Sequence, residues 1–124
     1  MNRKVVILLI IILVILGAVV YAVVRNAFGS NHDEFAKCLT SKGFVEYGAY
    51  WCSHCAEQKR LFGGSYKYVN YVECDKGGKN ANPEECNAKG INGYPTWITP
   101  DGEKLEGLQS LAVLSRVSGC SLVK

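Results

Sequence analysis

An unbroken run of apolar residues near the amino terminus places the strongest limit on how this chain can fold. Residues 5–24 (VVILLIIILVILGAVVYAVV) carry no charge, and at about 1.5 Å per helical residue they span about 30 Å, the thickness of the hydrocarbon core of a bilayer. Every face of such a helix is apolar, which is unsuited to a core helix in a domain too small to surround it. The run therefore predicts an uncleaved transmembrane anchor.

A cleaved secretory signal is the alternative, but its apolar stretch is normally about 7 to 15 residues long. No convincing small-x-small cleavage motif precedes Arg25 either. We predict four segments: a cytoplasmic amino terminus at 1–4, the anchor at 5–24, a polar tether at 25–32 and a folded domain at 33–124. Basic residues on the two sides of the run are nearly balanced, so they do not fix its orientation.

The folded part carries no net charge. Three of the 14 basic residues flank the apolar run (Arg3, Lys4 and Arg25), and the others balance the 11 acidic residues. A nucleic-acid-binding surface needs a basic stripe that releases counterions from phosphates. Because no basic run is longer than Lys59 and Arg60, we predict no nucleic-acid partner.

Six cysteines in 124 residues indicate an oxidising compartment, because structural disulfides do not persist in a reducing cytosol. We therefore predict a single-pass protein of the cell membrane whose globular domain lies outside the cytoplasm. The even number of cysteines allows three disulfides without identifying the pairs.

Helical and strand patterns alternate along the rest of the chain. Helices are predicted at 33–42, 52–62, 83–90 and 110–117, and strands at 44–50, 66–73, 95–99 and 103–106. Strands that alternate with helices and end in a hairpin predict an α/β fold with a mixed sheet covered by helices on both faces.

Two cysteines, Cys52 and Cys55, stand where the buried strand pattern ends and a helix begins, in the sequence WCSHC at 51–55. Amides and partial positive charge at a helix start stabilise a thiolate at the first cysteine. The second thiol, one turn later, can resolve a mixed disulfide formed at the first. His54 can donate a hydrogen bond or positive charge to the Cys52 thiolate, which makes the disulfide more oxidising. The motif predicts a redox-active dithiol.

The dithiol motif resembles that of the thioredoxin superfamily, and the resemblance covers about residues 33–120. Glu46, six positions before Cys52, and Pro95 in the sequence GYPT match the same pattern. The resemblance implies a thioredoxin-like fold in which Glu46 helps to move the proton of the second cysteine. Glu46 as a merely structural buried acid is the alternative.

The same resemblance implies a peptide-binding groove beside the dithiol. It implies that Tyr94-Pro95 is a cis bond facing the two cysteines and that the Tyr94 backbone pairs with a substrate strand. Trp51 is predicted to form a wall of this site, whereas Trp97 is predicted to pack in the core.

Four shorter stretches are similar to the thioredoxin-like domain associated with membrane proteins of the vitamin K epoxide reductase family. These are WCSHCAEQKRLF, YVEC, GYPTW and LQSL. In those systems the membrane protein oxidises the domain, which passes its disulfide to cysteine-containing client proteins. Since this chain has a single apolar run, the resemblance implies a separate membrane partner of that type. It also implies a structural disulfide between Cys74 and Cys86.

Other cysteine roles stay open. Cys74 and Cys86 can instead form a redox relay for the dithiol, and Cys38 and Cys120 can form a third disulfide or remain free buried thiols. Zinc would need a second Cys-x-x-Cys or paired histidines, and covalent haem would need a histidine where Ala56 stands. We therefore predict no metal and no cofactor.

Three functions fit the sequence. The leading hypothesis is a thiol-disulfide oxidase or isomerase acting on secreted or envelope proteins. The second is an anchored disulfide reductase, which would use the same residues in the reverse direction. The third is a binding module without catalytic activity, whose cysteines only stabilise the fold.

Overall fold

The computed structural model describes residues 1–28 and 32–122. Helix α1 spans Arg3–Phe28, and its Arg3–Arg25 part is long and apolar enough to cross a membrane. It therefore extends past the apolar run at both ends. Residues 25–28 of the predicted tether are helical, and 29–31 lie outside the described residues. The division into anchor, tether and domain stays a prediction.

The folded part follows the predicted order of helices and strands. Its elements are α2 (Asp33–Ser41), β1 (Val45–Gly48), α3 (Ser53–Phe62), a 3₁₀ helix (Gly63–Tyr68), β2 (Tyr71–Glu73), α4 (Pro83–Ala88), β3 (Thr96–Ile98), β4 (Lys104–Glu106) and α5 (Leu111–Ser118). Side chains cap three of the helices, with Cys52 before α3, Asn82 before α4 and Ser110 before α5.

Four strands form one mixed sheet in the order β2-β1-β3-β4. Strand β1 is parallel to β2 and antiparallel to β3, and β3 and β4 form a hairpin. Glu46 in β1 is paired with Tyr71 on one side and with Trp97 on the other. The central strand therefore places Glu46 in the middle of the sheet.

Helices pack on both faces of this sheet. One face carries Trp97, which is 0% exposed and packs with Phe35 of α2, Phe62 of α3 and Leu114 of α5. The opposite face packs Tyr47 and Ile98 against Cys74 and against Cys86 of α4. The predicted α/β fold class is confirmed, and so is the place of Trp97 in the core.

The strand predicted at 66–73 is wrong over its first part. Residues 63–68 form a 3₁₀ helix, and only Tyr71–Glu73 pair with β1. Tyr66 packs edge-on against Phe62, with ring centroids 6.1 Å apart, and Tyr68 packs against the core cluster beneath α2. The aromatic residues that looked like a strand instead fill the core beside the helices.

Two disulfides close this fold. Cys38 in α2 is bonded to Cys120, beyond α5, with Cα atoms 5.9 Å apart. Cys74 is bonded to Cys86 across the connection between β2 and α4. Cys52 and Cys55 are the free cysteines of the described residues. The alternatives left open for Cys38 and Cys120 were a disulfide or two free thiols, and the structure has the disulfide.

Candidate active site

Cys52 occupies the cap position at the start of α3. Its side chain is 8% exposed, and its Sγ accepts a hydrogen bond from the backbone N–H of Cys55 at 3.2 Å. The extended backbone of Cys52 ends the stretch after β1, and α3 starts at Ser53. An anionic sulfur at this position is stabilised both by that amide and by the positive end of the helix.

The Cys55 thiol is difficult to ionise because it is buried. It is 6% exposed, and burial, together with a hydrogen bond to Cys52, raises the pKa of the Cys55 thiol to about 12. A base is therefore needed if Cys55 is to act as a nucleophile at neutral pH.

Glu46 is the buried acid of the site. Its side chain is 0% exposed, and neither carboxyl oxygen has a hydrogen-bond partner that meets normal geometry among the described residues. Burial raises the pKa of Glu46 to about 8, although the Tyr66 hydroxyl and the charge of Lys59 partly oppose this. Glu46 is thus poised to exchange a proton near neutral pH.

The backbone of Tyr94 faces the first cysteine. The Cys52 thiol donates to the Tyr94 carbonyl oxygen at 3.6 Å, and the Tyr94 ring packs beside Ala49 and the two cysteines. The Tyr94-Pro95 bond is cis, and Pro95 is fully buried directly before β3.

Trp51 forms an exposed wall next to the dithiol. The indole is 60% exposed, and its Nε1 donates to Asp75 Oδ2 at 2.8 Å. Its ring meets the Tyr94 ring edge-on, with centroids 6.0 Å apart. Hydrogen bonds from Trp51 and from the Gly77 amide lower the pKa of Asp75. Asp75, which the sequence reasoning missed, therefore fixes the orientation of Trp51.

His54 lies on the first turn of α3 with its side chain exposed. Within residues 1–28 and 32–122, no hydrogen bond joins it to Cys52. Any effect of His54 on the Cys52 thiolate would therefore act through charge, and its tuning role stays a prediction.

Glycine at position 48 makes room for the second cysteine. A Cβ added there would lie 2.9 Å from Tyr71 Cε2 and 3.0 Å from Cys55 Sγ. We expect Gly48→Ala to lower the free energy of unfolding by about 1 to 3 kcal/mol through overpacking, measured by urea unfolding of the full chain in detergent. Gly64→Ala is the control, because nothing lies within 4 Å of its added Cβ. Equal stability of the two variants would contradict this account of Gly48.

The strand order β2-β1-β3-β4, with a dithiol at the start of the helix that follows the central strand, now defines the fold. The domain is thioredoxin-like. Its sheet brings Glu46, Cys52, Cys55 and Tyr94 to one place, although they come from three separate stretches of sequence.

One curated relative is similar to this chain in sequence. The thiol-disulfide oxidoreductase LTO1 of Arabidopsis thaliana is 45% identical over 91 aligned residues, and the match covers 70% of this chain. The chain spans only 24% of that relative. No protein-family model matches the chain.

Solved structures similar to this chain include two thioredoxins. A chloroplastic thioredoxin z aligns over 72% of this chain and 88% of its own, with 21% identity and a TM-score of 0.48. The thioredoxin of Fasciola hepatica aligns over 74% of this chain and 96% of its own, with 15% identity and a TM-score of 0.43.

Proposed function

We propose that this chain is a membrane-anchored thiol-disulfide oxidoreductase. In this proposal its domain lies outside the cytoplasm and donates or isomerises disulfides in cysteine-containing client proteins. The observation that carries the proposal is the division of the six cysteines. Four are bonded in pairs, whereas Cys52 and Cys55 are free at the start of α3.

In the donating direction, the oxidised Cys52-Cys55 disulfide is attacked at Cys52 Sγ by a client thiolate. The Cys52–Cys55 bond breaks, Cys55 leaves as a thiolate and takes up a proton, and a mixed disulfide joins Cys52 to the client. A second client thiolate then attacks the client sulfur of that bond and releases Cys52 as a thiolate. The client gains a disulfide, and its two electrons pass to the dithiol.

The surrounding residues have distinct roles in this proposal. Glu46 exchanges a proton with Cys55, which its pKa of about 8 permits near neutral pH. Trp51 and Tyr94 contact the client beside Cys52, Pro95 shapes the groove, and His54 favours the thiolate of Cys52 by its charge when protonated.

A donor of disulfides must be reoxidised by an acceptor of two electrons. We propose a separate membrane partner of the vitamin K epoxide reductase type, supported by the sequence resemblance of residues 51–62, 71–74, 93–97 and 108–111. The apolar α1 would hold the domain at the same membrane as that partner.

The test of an exchange enzyme is capture of its intermediate. Cys55→Ser is expected to accumulate mixed disulfides between Cys52 and client proteins, because Cys52 can still attack a client disulfide whereas Cys55, the thiol of this chain that would release the client, is absent. Non-reducing gels of the full chain, followed by mass spectrometry, would detect these adducts. The Cys52→Ser, Cys55→Ser double variant is the control and should form none. If Cys55→Ser also forms none, the chain acts as a binding module.

The direction of exchange is tested by the redox potential of the dithiol. We expect a value nearer the roughly −120 mV of strong oxidants than the roughly −270 mV of reducing thioredoxins. Equilibration of the full chain with glutathione buffers, with each cysteine followed by mass spectrometry, measures it. A value near or below −270 mV would make the chain a reductase.

A further inference from the structure

A cleft of about 400 Å³ opens beside the second cysteine of the dithiol. Cys55, Tyr71 and Glu73 line it together with Lys79 of the following loop. Tyr94, which faces Cys52, does not line this cleft. The cleft therefore gives solvent a route towards Cys55 that is separate from the surface next to Cys52.

The hydroxyl of Tyr71 lies next to the Cys55 sulfur. A single point above Gly48, the position of an added Cβ, is 3.0 Å from Cys55 Sγ and 3.1 Å from Tyr71 Oη. The two atoms are therefore no farther apart than these two distances combined. No direct hydrogen bond joins them among the described residues, where the Tyr71 hydroxyl donates to Glu73 instead, but a separation of this size can be bridged by one water.

The Tyr71 hydroxyl is hydrogen-bonded to the carboxylate of Glu73. Its side chain is 6% exposed, and Oε2 accepts a hydrogen bond from the Tyr71 hydroxyl at 2.9 Å. Its Oε1 accepts from the Asp75 amide at 2.9 Å. Each carboxyl oxygen thus has one donor, while the carboxylate also borders the cleft. A buried glutamate with this access can hold a proton and pass it to water.

We propose that Tyr71 and Glu73 form a proton relay that connects the Cys55 thiol to the solvent of the cleft. The relay deepens the proposed thiol-disulfide exchange function and rests on it. When Cys55 resolves a mixed disulfide, its S–H proton passes through one bridging water of the cleft to Tyr71 Oη as the Tyr71 O–H proton passes to Glu73. The Cys55 thiolate then forms a bond with Cys52 Sγ, the client thiolate leaves, and Glu73 releases its proton to water.

Glu46 does not connect the Cys55 thiol to the solvent of the cleft. It is fully buried and does not line the cleft. Because its pKa is raised to about 8, Glu46 is mostly protonated below that pH and cannot accept a further proton there. The relay would therefore matter most below pH 8. The other titratable groups facing it are Lys59 of α3, Tyr50 before α3, Tyr66 of the 3₁₀ helix, and Asp75 and Lys79 after β2.

The test compares the variants Tyr71→Phe and Glu73→Gln in the full chain in detergent. Glutamine keeps an oxygen that can accept from Tyr71 but takes up no proton. The measurement is the pH dependence of oxidation of the reduced chain by a disulfide-bonded model peptide, with the first step measured separately in a Cys55→Ser background. We expect each variant to slow resolution about 10-fold at pH 6 to 7, less than a lost general base usually costs because the small ionised fraction of Glu46 can still accept the proton. The difference in resolution rate between the variants and the wild-type chain should disappear above pH 8. The double variant should resolve no more slowly than either single variant.

The matched control is Tyr47→Phe. Tyr47 donates to Glu85 Oε1 at 2.8 Å, which is a tyrosine–glutamate bond of the same kind on the opposite face of the sheet. This variant should keep the wild-type pH profile. The relay is overturned if the Tyr71 and Glu73 variants keep that profile, if Tyr47→Phe slows resolution equally, or if the first step slows as much as the second. Absence of exchange by the wild-type chain would instead overturn the proposed function, and the relay with it.

Discussion

Replacing Cys38 and Cys120 together with alanine is expected to lower the free energy of unfolding by about 4 to 5 kcal/mol, because the disulfide closes a long loop in the unfolded chain. The two cysteines are separated by 82 positions, and the entropy lost by the unfolded chain grows with the logarithm of the loop. Such a loss is a large part of the stability of a small domain. Urea unfolding of the full chain in detergent, followed by the fluorescence of the buried Trp97, measures it.

The matched control removes the other disulfide. Cys74 and Cys86 are separated by only 12 positions, so replacing both with alanine should cost about 3 kcal/mol by the same relation. A smaller loss for the Cys38 and Cys120 pair than for this pair would show that loop length does not decide their contributions.

Glu46→Gln is expected to raise the free energy of unfolding by about 3 kcal/mol at pH 7. Burial raises the pKa of Glu46 to about 8 from an ordinary value of 4.5, so the folded state keeps a proton that the unfolded chain loses. The stabilising contribution of this proton is complete below pH 4.5 and is lost as the pH rises to about 8. Glutamine has a similar shape and no proton to lose.

Urea unfolding of the full chain in detergent between pH 4.5 and 8.5 tests this expectation. The wild-type chain should lose stability over that range relative to Glu46→Gln, and the two should converge at the acid end. Glu34→Gln is the control for the same substitution at an exposed position, on the first turn of α2, and it should not remove the loss of stability that Glu46 causes over this range. Parallel curves for Glu46→Gln and wild type would show that Glu46 is not held protonated by the fold. The same substitution should slow thiol exchange, since glutamine accepts no proton.

Local sequence patterns were sufficient for most of the fold. The helix starts at Pro83 and Leu111 follow Asn82 and Ser110, which are residue types that often cap helices. The pattern failed at Tyr66 and Tyr68, because aromatic residues of high strand propensity also fill a core beside helices. Which of these occurs depends on Phe62 and α2, whose positions are set by the tertiary structure.

The dithiol and Glu46 could be predicted from the sequence because their spacing matches a known pattern. The role proposed for Tyr71 and Glu73 was not, since they read as ordinary residues of a strand. Their alternation in YVE places both side chains on the same side of β2, which is a signal that they could act together. Only the structure shows that Gly48 leaves Tyr71 beside Cys55.

The bond between Cys38 and Cys120 also determines how the domain would carry mechanical load. Cys38 lies in the first helix after α1, and Cys120 lies beyond the last helix. Tension applied between α1 and the residues after Cys120 would pass across this one covalent bond. The sheet, the dithiol and the cleft all lie between the two cysteines in sequence, so they would bear almost none of the force while the bond is intact.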